Sequence, residues 1–413
     1  MFVFSCMLKS RVWLLALAMP LADAHAADFQ TLYGFRAGSD GAVPEAELIA
    51  DGDGNLYGTT SDGGKCRQAG CGTIFKLAPD GTETVLYTFC SQPDCSDGLA
   101  PVAGLIEDAG GNFYGTTAFG GAARCGAVFE LAANGGEKVL YSFKGGRDGC
   151  NPESTLLADS SGNFYGTTLG YYDPQGGDYG TVYKLAPGAA ETVIYAFRGG
   201  DDGCEPSSGL VADSAGNLYG TAPGCGASGY GTIFEISGNG TETTVHTFTG
   251  GADGAVPIAG LIADAADNFY GTTYEGGGAG LGQCTIGCGT IFKLAPDGSV
   301  TILHAFAGGR RDGALPLAAL AADADGDFFG TTALGGGKGV CKFDSRGDCG
   351  TVFKLAPDNT LSILHAFSGG SDGGIPGCRL LLRKHHLYGT AQQGGNKAPA
   401  YKYGAGTVFE QGK

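Results

Sequence analysis

An aromatic residue followed by Gly-Thr recurs at Tyr57, Tyr114, Tyr165, Tyr219, Tyr270, Phe329 and Tyr388, at intervals of 51 to 59 residues. Around each copy the chain repeats itself, with "GNLYGTT" beginning at Gly54 and "GNFYGTT" at Gly111 and again at Gly162. Units this short do not each close a hydrophobic core, so copies in tandem stack and share one. That overrides the two or three domains that 413 residues would ordinarily suggest. Glycine is abundant, 78 residues against 16 prolines, but it punctuates a sequence evenly supplied with aliphatic and aromatic residues. It is therefore turn glycine rather than collagen-like or linker glycine.

Each unit holds four short apolar runs separated by turn residues. In the first unit they are "AELIAD", "NLYGTT", "GTIFKL" and "TVLYTF", with "DGDGN" joining the first two and "APDG" the last two. Asp-Gly and Gly-Asn favour hairpins because tight turns need backbone angles those residues tolerate, so each unit reads as a four-stranded antiparallel meander. The third run occurs seven times, from "GTIFKL" at Gly72 to "GTVFE" at Gly406, but the fourth follows only six of them. The missing copy is "TLYGF", Thr31 to Phe35, near the N-terminus. Four-stranded units of about 55 residues have the size of propeller blades, and pairing the first strand with the last removes both open edges. The expected fold is all-β: a seven-bladed β-propeller of four-stranded antiparallel blades, one domain over residues 27–413, its ring closed by the N-terminal strand. A linear β-solenoid is the alternative, and it leaves that complementary strand unexplained.

The strand order, an LY-containing second strand followed by a Gly-Gly pair and a third strand, resembles kelch blades. That resemblance implies an innermost "GLIAD" strand and an outermost "VLYTF" strand. The tandem "GNLYGTT…GG…GTIFKLAPDG…VLYTF…DGxxP" resembles the GloVer tandem-repeat family of bacterial exported proteins over nearly the whole chain after its leader, and it brings no established activity with it. The seventh unit departs from the pattern, with "LLLRKHHLYGTA" in place of the Asp-Gly turn.

At the N-terminus, Lys9 and Arg11 precede an apolar run from Val12 to Ala22, followed by Ala24-His25-Ala26. This is the order of a secretory signal peptide over residues 1–26, cleaved after Ala26, and the run is too short to span a membrane. The product is expected to be secreted or periplasmic. Removing Lys9 and Arg11 from 25 basic residues and Asp23 from 42 acidic ones leaves 23 against 41, a net charge near -18. Such a balance argues against nucleic acid or an anionic membrane as partner. Thirteen of the 14 cysteines remain, among them the close pairs Cys66 with Cys71, Cys90 with Cys95, Cys284 with Cys288 and Cys341 with Cys349. In an exported chain these read as short disulfide loops, each stabilising by roughly 2 kcal/mol. A zinc site is disfavoured by the six histidines and the lack of any CxxC pair. Cys125, Cys150, Cys204, Cys225 and Cys378 are left, so at least one thiol is unpaired or bridges chains.

In a meander propeller the loops between strands two and three, and those leading from strand four into the next blade, share one face. Here they are long and variable, whereas the opposite turns are short, so binding residues are sought on the long-loop face. The ligand-binding candidates there are the aromatic residues Phe119, Tyr171, Tyr172, Tyr274 and Phe343, which suit sugar stacking or protein anchoring, and the basic pair Arg310 and Arg311. "DGxxP" recurs seven times, from Asp40–Pro44 to Asp372–Pro376. It reads as a turn in which Asp accepts backbone N–H bonds, or alternatively as a carboxylate ring for a cation. "DGDGN" at Asp51 and "DADGD" at Asp323 are not calcium loops, because Leu56 and Phe328 stand where glycine is needed. His246, His304 and His365 replace the tyrosines of other fourth strands and lie on separate blades, too far apart to share a metal. "GAGLG" at Gly278 lacks the strand-to-helix setting of a dinucleotide site, and there is no HExxH, GxSxG or P-loop. No catalytic residue, metal or cofactor is indicated. The sequence points to an exported binding or interaction propeller taking a glycan or protein on its long-loop face. Its rivals are an extracellular glycan hydrolase or lyase, whose acid/base pair would be assembled from separate blades and escape a motif search, and a purely structural surface protein.

Overall fold

The computed structural model describes residues 29–65, 70–170, 177–188, 190–278, 284–309, 311–337, 341 and 348–413. It is a β-propeller of seven four-stranded antiparallel blades. Blade one comprises Ile49–Ala50, Leu56–Thr60, Thr73–Leu77 and Glu83–Thr88, paired in that order from the axis outward. Blades two to six begin at Ile106, Leu157, Val211, Ile262 and Ala321. Blade seven is Leu381–Arg383, His386–Ala391 and Thr407–Gly412, completed on its outer edge by the N-terminal strand Phe29–Gly34. That strand starts two residues earlier than the sequence suggests. It pairs Phe29 with Gln411 and Gly34 with Thr407, with a bulge between Thr31 and Tyr33.

The inner strands are shorter than "AELIAD" implies, only two residues in six of the blades. The segment before each of them is held by the preceding blade instead of its own. The first threonine of every G-T pair donates its hydroxyl to a carbonyl there: Thr59 to Ala103, Thr116 to Ser154, Thr167 to Ser208, and so on to Thr390, which bonds the Ala46 carbonyl at 3.2 Å. Ladder pairing starts only where that grip ends.

The repeat motif is thus a list of seam contacts. The glycine of Y-G-T leaves room for the ring of the next strand, since a Cβ on Gly58 would stand 2.9 Å from Phe75 and one on Gly389 2.6 Å from Phe409. Each fourth strand ends in a buried phenylalanine packed edge-on against a third-strand ring of the next blade, from Phe35 on Phe75 to Phe367 on Phe409, both at 5.2 Å. The glycine opening each third strand has positive φ and accepts the DGxxP proline against its open face; Gly72 meets Pro101 and Gly406 meets Pro44. The residue before each of those prolines has φ between 54° and 60°, although it is valine at positions 43 and 256 and isoleucine at 375. Such strain, of order 1–3 kcal/mol, persists only where surroundings over-determine it. Here both of the residue's backbone groups are bonded: the Val43 N–H donates to the Ala405 carbonyl at 2.8 Å, and the Val43 carbonyl accepts from Ser61 N at 3.0 Å. Because Ala46, Pro44 and Phe35 make at the junction of blades seven and one the contacts found at the other junctions, the ring is closed.

Candidate functional site

Most carboxylates the sequence singles out are consumed by architecture. Each DGxxP aspartate gathers backbone N–H groups of its own turn and the polar tip of the preceding outer strand. Asp40 accepts from Arg36 N at 2.9 Å, Gly38 N at 3.1 Å and Tyr33 Oη at 3.0 Å. At the three histidine blades the ring Nε2 takes the tyrosine's place, 3.4 Å from Asp253, 3.2 Å from Asp312 and 3.3 Å from Asp372. The short-turn aspartates are similarly occupied. Asp159 accepts from Asn163 Nδ2 at 2.7 Å, Asn163 N at 2.9 Å and Tyr165 Oη at 3.0 Å. The Asn163 bonds, against slight burial, hold its carboxyl down to about 2. Among the described residues no group of three or more His, Cys, Asp or Glu is arranged to hold a metal ion.

The long-loop face is built from paired loops. Connector and loop meet in short antiparallel bridges such as Ala42 with Asp62 and Leu99 with Phe119, and in a two-stranded ribbon of Gly313–Ala314 with Leu334–Gly335. Disulfides cross-link this layer: Cys90–Cys95, Cys284–Cys288 and Cys341–Cys349 within single loops, and Cys125–Cys150 and Cys204–Cys225 between loop and connector. Cys71 is also disulfide-bonded, while Cys66 lies outside the described residues. Cys378 is the free thiol among the described residues and is buried, its Sγ accepting from Thr390 N at 3.0 Å. Of the ligand-binding candidates, Tyr171, Tyr172, Arg310 and Phe343 lie outside the described residues. Phe119 projects from blade two with 45% of its surface exposed, and Arg311 is exposed on the connector from blade five to six. Tyr274 is half-buried on blade five, its hydroxyl pushed up by burial and by the neighbouring Glu275. Phe119 thus belongs to blade two, Tyr274 to blade five and Arg311 to the connector that follows blade five.

A further concavity is one the sequence reading overlooked. A channel of about 670 Å³ runs along the propeller axis, lined by the inner segments of all seven blades. Its long-loop end is defined by the residue following each DGxxP proline. Read around the ring, these are Glu45, Val102, Glu153, Ser207, Ile258, Leu317 and Gly377. Two carboxyls from blades one and three thus stand among mostly apolar neighbours. Burial, and secondarily the charge of Glu45, raises Glu153 to about 7. Glu45 is also raised by burial, but a hydrogen bond from Ser61 Oγ at 3.2 Å favours its ionised form. Two carboxyls at one channel mouth, both pushed toward their neutral form, can donate hydrogen bonds to a ligand, and the one that titrates near neutrality can hand a proton on. One step deeper, Arg379 lies 3.7 Å from Glu47 across the closing seam. Aligning the seven copies column by column would have revealed this site; searching for motifs could not.

The fold has relatives among solved structures, and three of them are distant in sequence. The extracellular domain of a putative one-component system, BT4673 from B. thetaiotaomicron, is 9% identical with a TM-score of 0.53, over 92% of this chain and 39% of that one. A gluconolactonase from Xanthomonas campestris is 12% identical with a TM-score of 0.43 over 94% and 89% of the two chains. A putative 6-phosphogluconolactonase from Bacteroides uniformis is 14% identical with a TM-score of 0.47 over 80% and 86%. No curated protein sequence matches the chain. The Gloeobacter/Verrucomicrobia repeat signature matches residues 22–177, 67–285 and 284–412, which together span the whole propeller, and the chain belongs to that repeat family.

Proposed function

We propose that this is an exported binding propeller whose ligand, a neutral glycan, docks on the long-loop face at the mouth of the axial channel. One observation carries the reading. The seven blades share the glycine, proline and phenylalanine contacts that hold the ring, yet they diverge at the channel residue after the proline, where Glu45, Glu153 and Ser207 stand among Val102, Ile258 and Leu317. A concavity that sets a few convergent polar groups among apolar ones is a common form of ligand site. A partly buried carboxyl that holds its proton below about pH 7 can donate to hydroxyl-bearing ligands, and once ionised it repels anions. The disulfides of the loop layer suit an oxidising, extracytoplasmic compartment. Titration of neutral oligosaccharides should show binding that weakens as pH rises through about 7, where Glu153 loses its proton. The Glu153→Leu variant should lose at least tenfold in affinity while keeping the wild-type melting transition. Binding undiminished in that variant would refute the site.

The same carboxyl pair favours a second reading, hydrolysis of the bound glycan, with Glu153 protonating the departing glycosidic oxygen while Glu45 takes a proton from the attacking water. Reducing ends released by wild type but not by Glu45→Gln would select it. Binding without release selects the first reading.

A further inference from the structure

The seams between blades come in two chemistries. At four of them the outer strand ends in tyrosine, which donates to the DGxxP aspartate: Tyr33 to Asp40 at 3.0 Å, Tyr87 to Asp97 at 2.8 Å, Tyr141 to Asp148 at 2.5 Å and Tyr195 to Asp202 at 2.8 Å. On the adjoining blade the matching outer strand then begins with a glutamate, respectively Glu83, Glu137, Glu191 and Glu242. Tyr87 reaches across to Glu137 Oε2 at 3.3 Å, and Tyr141 to Glu191 Oε2 at 3.4 Å. At the other three seams His246, His304 and His365 replace tyrosine, and the glutamate position is Val300, Leu361 and Phe29. Phe29 stacks on His365 with ring centroids 3.6 Å apart. Tyrosine always faces glutamate and histidine always faces an apolar residue, so the pairing belongs to the seam and not to either blade alone.

In the tyrosine seams two carboxyls converge in partly buried ground. Burial first, and the adjacent aspartate second, raise Glu83 and Glu137 to about 7, with Arg36 opposing at Glu83 and Tyr87 opposing at Glu137. Glu191 and Glu242 are raised chiefly by burial, with Asp148 and Asp202 adding to it. Tyr141 and Lys144 oppose at the first, and Thr244, Tyr195 and Arg198 at the second. The Oε1 atoms of Glu83, Glu137 and Glu191 are buried without a hydrogen-bond partner, which costs far less for a neutral carboxyl than for a carboxylate.

We propose that these four consecutive seams, from blade seven round to blade four, are proton-dependent clamps. A neutral glutamate lets two carboxyls meet across each seam, and its ionisation sets two negative charges against each other and loosens that arc of the ring. The arc includes the junction closed by the N-terminal strand. A carboxyl whose folded-state affinity for protons exceeds its unfolded one stabilises the fold fully below the unfolded value of 4.5, and that contribution disappears as pH rises through about 7. Asp159 and Asp372, held low in the fold, contribute above 3.8 and lose their contribution in acid. His246, pushed down by burial against the pull of Asp253, also opposes acid. Stability therefore peaks between roughly pH 4 and 5 and falls toward neutrality.

The test compares wild type with the fourfold variant Glu83→Gln, Glu137→Gln, Glu191→Gln and Glu242→Gln, whose amides imitate the protonated seam. With each shift halved for the groups' remaining hydration, the melting temperature of wild type should drop by roughly 4 °C from pH 5 to pH 8, and that of the variant by less than half as much. Glu153→Gln, which removes the other raised carboxyl, should retain the seam component of the drop. Amide exchange at Thr31–Gly34, corrected for intrinsic rates, should be at least threefold faster at pH 8 than at pH 5 in wild type and pH-independent in Glu83→Gln alone. This second measurement decides the matter if the fourfold variant fails to fold. An equal drop in wild type and the fourfold variant, or exchange at the closing strand that ignores pH in wild type, overturns the proposal.

Discussion

Replacing Phe35 with alanine measures how strongly the ring is closed. Phe35 has no exposed surface and sits edge-on to Phe75 of blade one and to Tyr33 of its own strand, each 5.2 Å away. It is thus the only fourth-strand phenylalanine whose seam joins the two ends of the chain. Removing a fully buried phenylalanine costs about 3–5 kcal/mol through lost transfer energy and the cavity left behind. Residues Phe29 to Lys413 number 385 (413 less 28), so at about 2.1 cal/mol/K per residue the unfolding entropy is near 0.8 kcal/mol/K. A 4 kcal/mol loss then lowers the melting temperature by roughly 5 °C. Phe143→Ala, in the internal seam where Phe143 meets Tyr183 at 4.9 Å, is the reference. In a closed ring the two variants should fall by the same amount, within about 1–2 °C. Scanning calorimetry at fixed pH reads both. If Phe143→Ala melts several degrees lower while Phe35→Ala matches wild type, the closing seam carries no stability and the ring argument fails.

Gly406→Ala places a Cβ 2.3 Å from Pro44 at a φ of +99°, whereas Gly216→Ala adds one at φ +86° with nothing within 4 Å. Thermal melting should show the first costing more than about 3 kcal/mol and the second about 1 kcal/mol, the left-handed backbone penalty alone. Peptide mapping of non-reduced protein should recover Cys125 linked to Cys150 and Cys204 linked to Cys225, and alkylation should reach Cys378 only on unfolding. On any glycan bound, Tyr171→Ala with Tyr172→Ala, or Arg310→Ala with Arg311→Ala, should weaken affinity, whereas Asp53→Lys on the short-turn face should not. The reverse pattern in a titration would place the ligand on the other face.

The architecture was legible because a propeller solves one packing problem seven times, and the solution is written in residue types with few substitutes. Only glycine fits where Gly58 meets Phe75, and only a residue lacking Cβ lets Pro101 lie on Gly72. Such positions recur as letters, so counting letters found the blades, and the one fourth strand out of place located the closure. The details that escaped are those where one blade's backbone is held by another. The Thr59-to-Ala103 bond shortens the inner strand, yet neither residue signals it alone. Cys125–Cys150 and Cys204–Cys225 escaped pairing because their partners are 25 and 21 residues apart in sequence and meet only when loop folds over connector.

The channel escaped for the opposite reason, and that bears on how repeats carry function. Positions that build seams must fit a neighbour of the same kind, so a substitution there is penalised by about 1–3 kcal/mol at an interface that the whole ring shares. The side chains that follow each proline line the axis and make none of the glycine, proline or phenylalanine seam contacts, so they vary at little structural cost. Val102, Ile258 and Leu317 show what that ground looks like when left apolar. Glu45 and Glu153 depart from it on blades one and three, and each is costly to bury as a charge, which is why both carboxyls are driven toward their neutral form. A costly departure at a position free of architectural demand is what a ligand site requires. By contrast, the equally raised Glu83 and Glu137 answer to a partner tyrosine in their own seam and belong to the ring's stability. Replacing Glu153 should therefore change binding and leave seam titration intact, and replacing Glu137 should do the reverse. A single variant that moved both would show that channel and seams are one system.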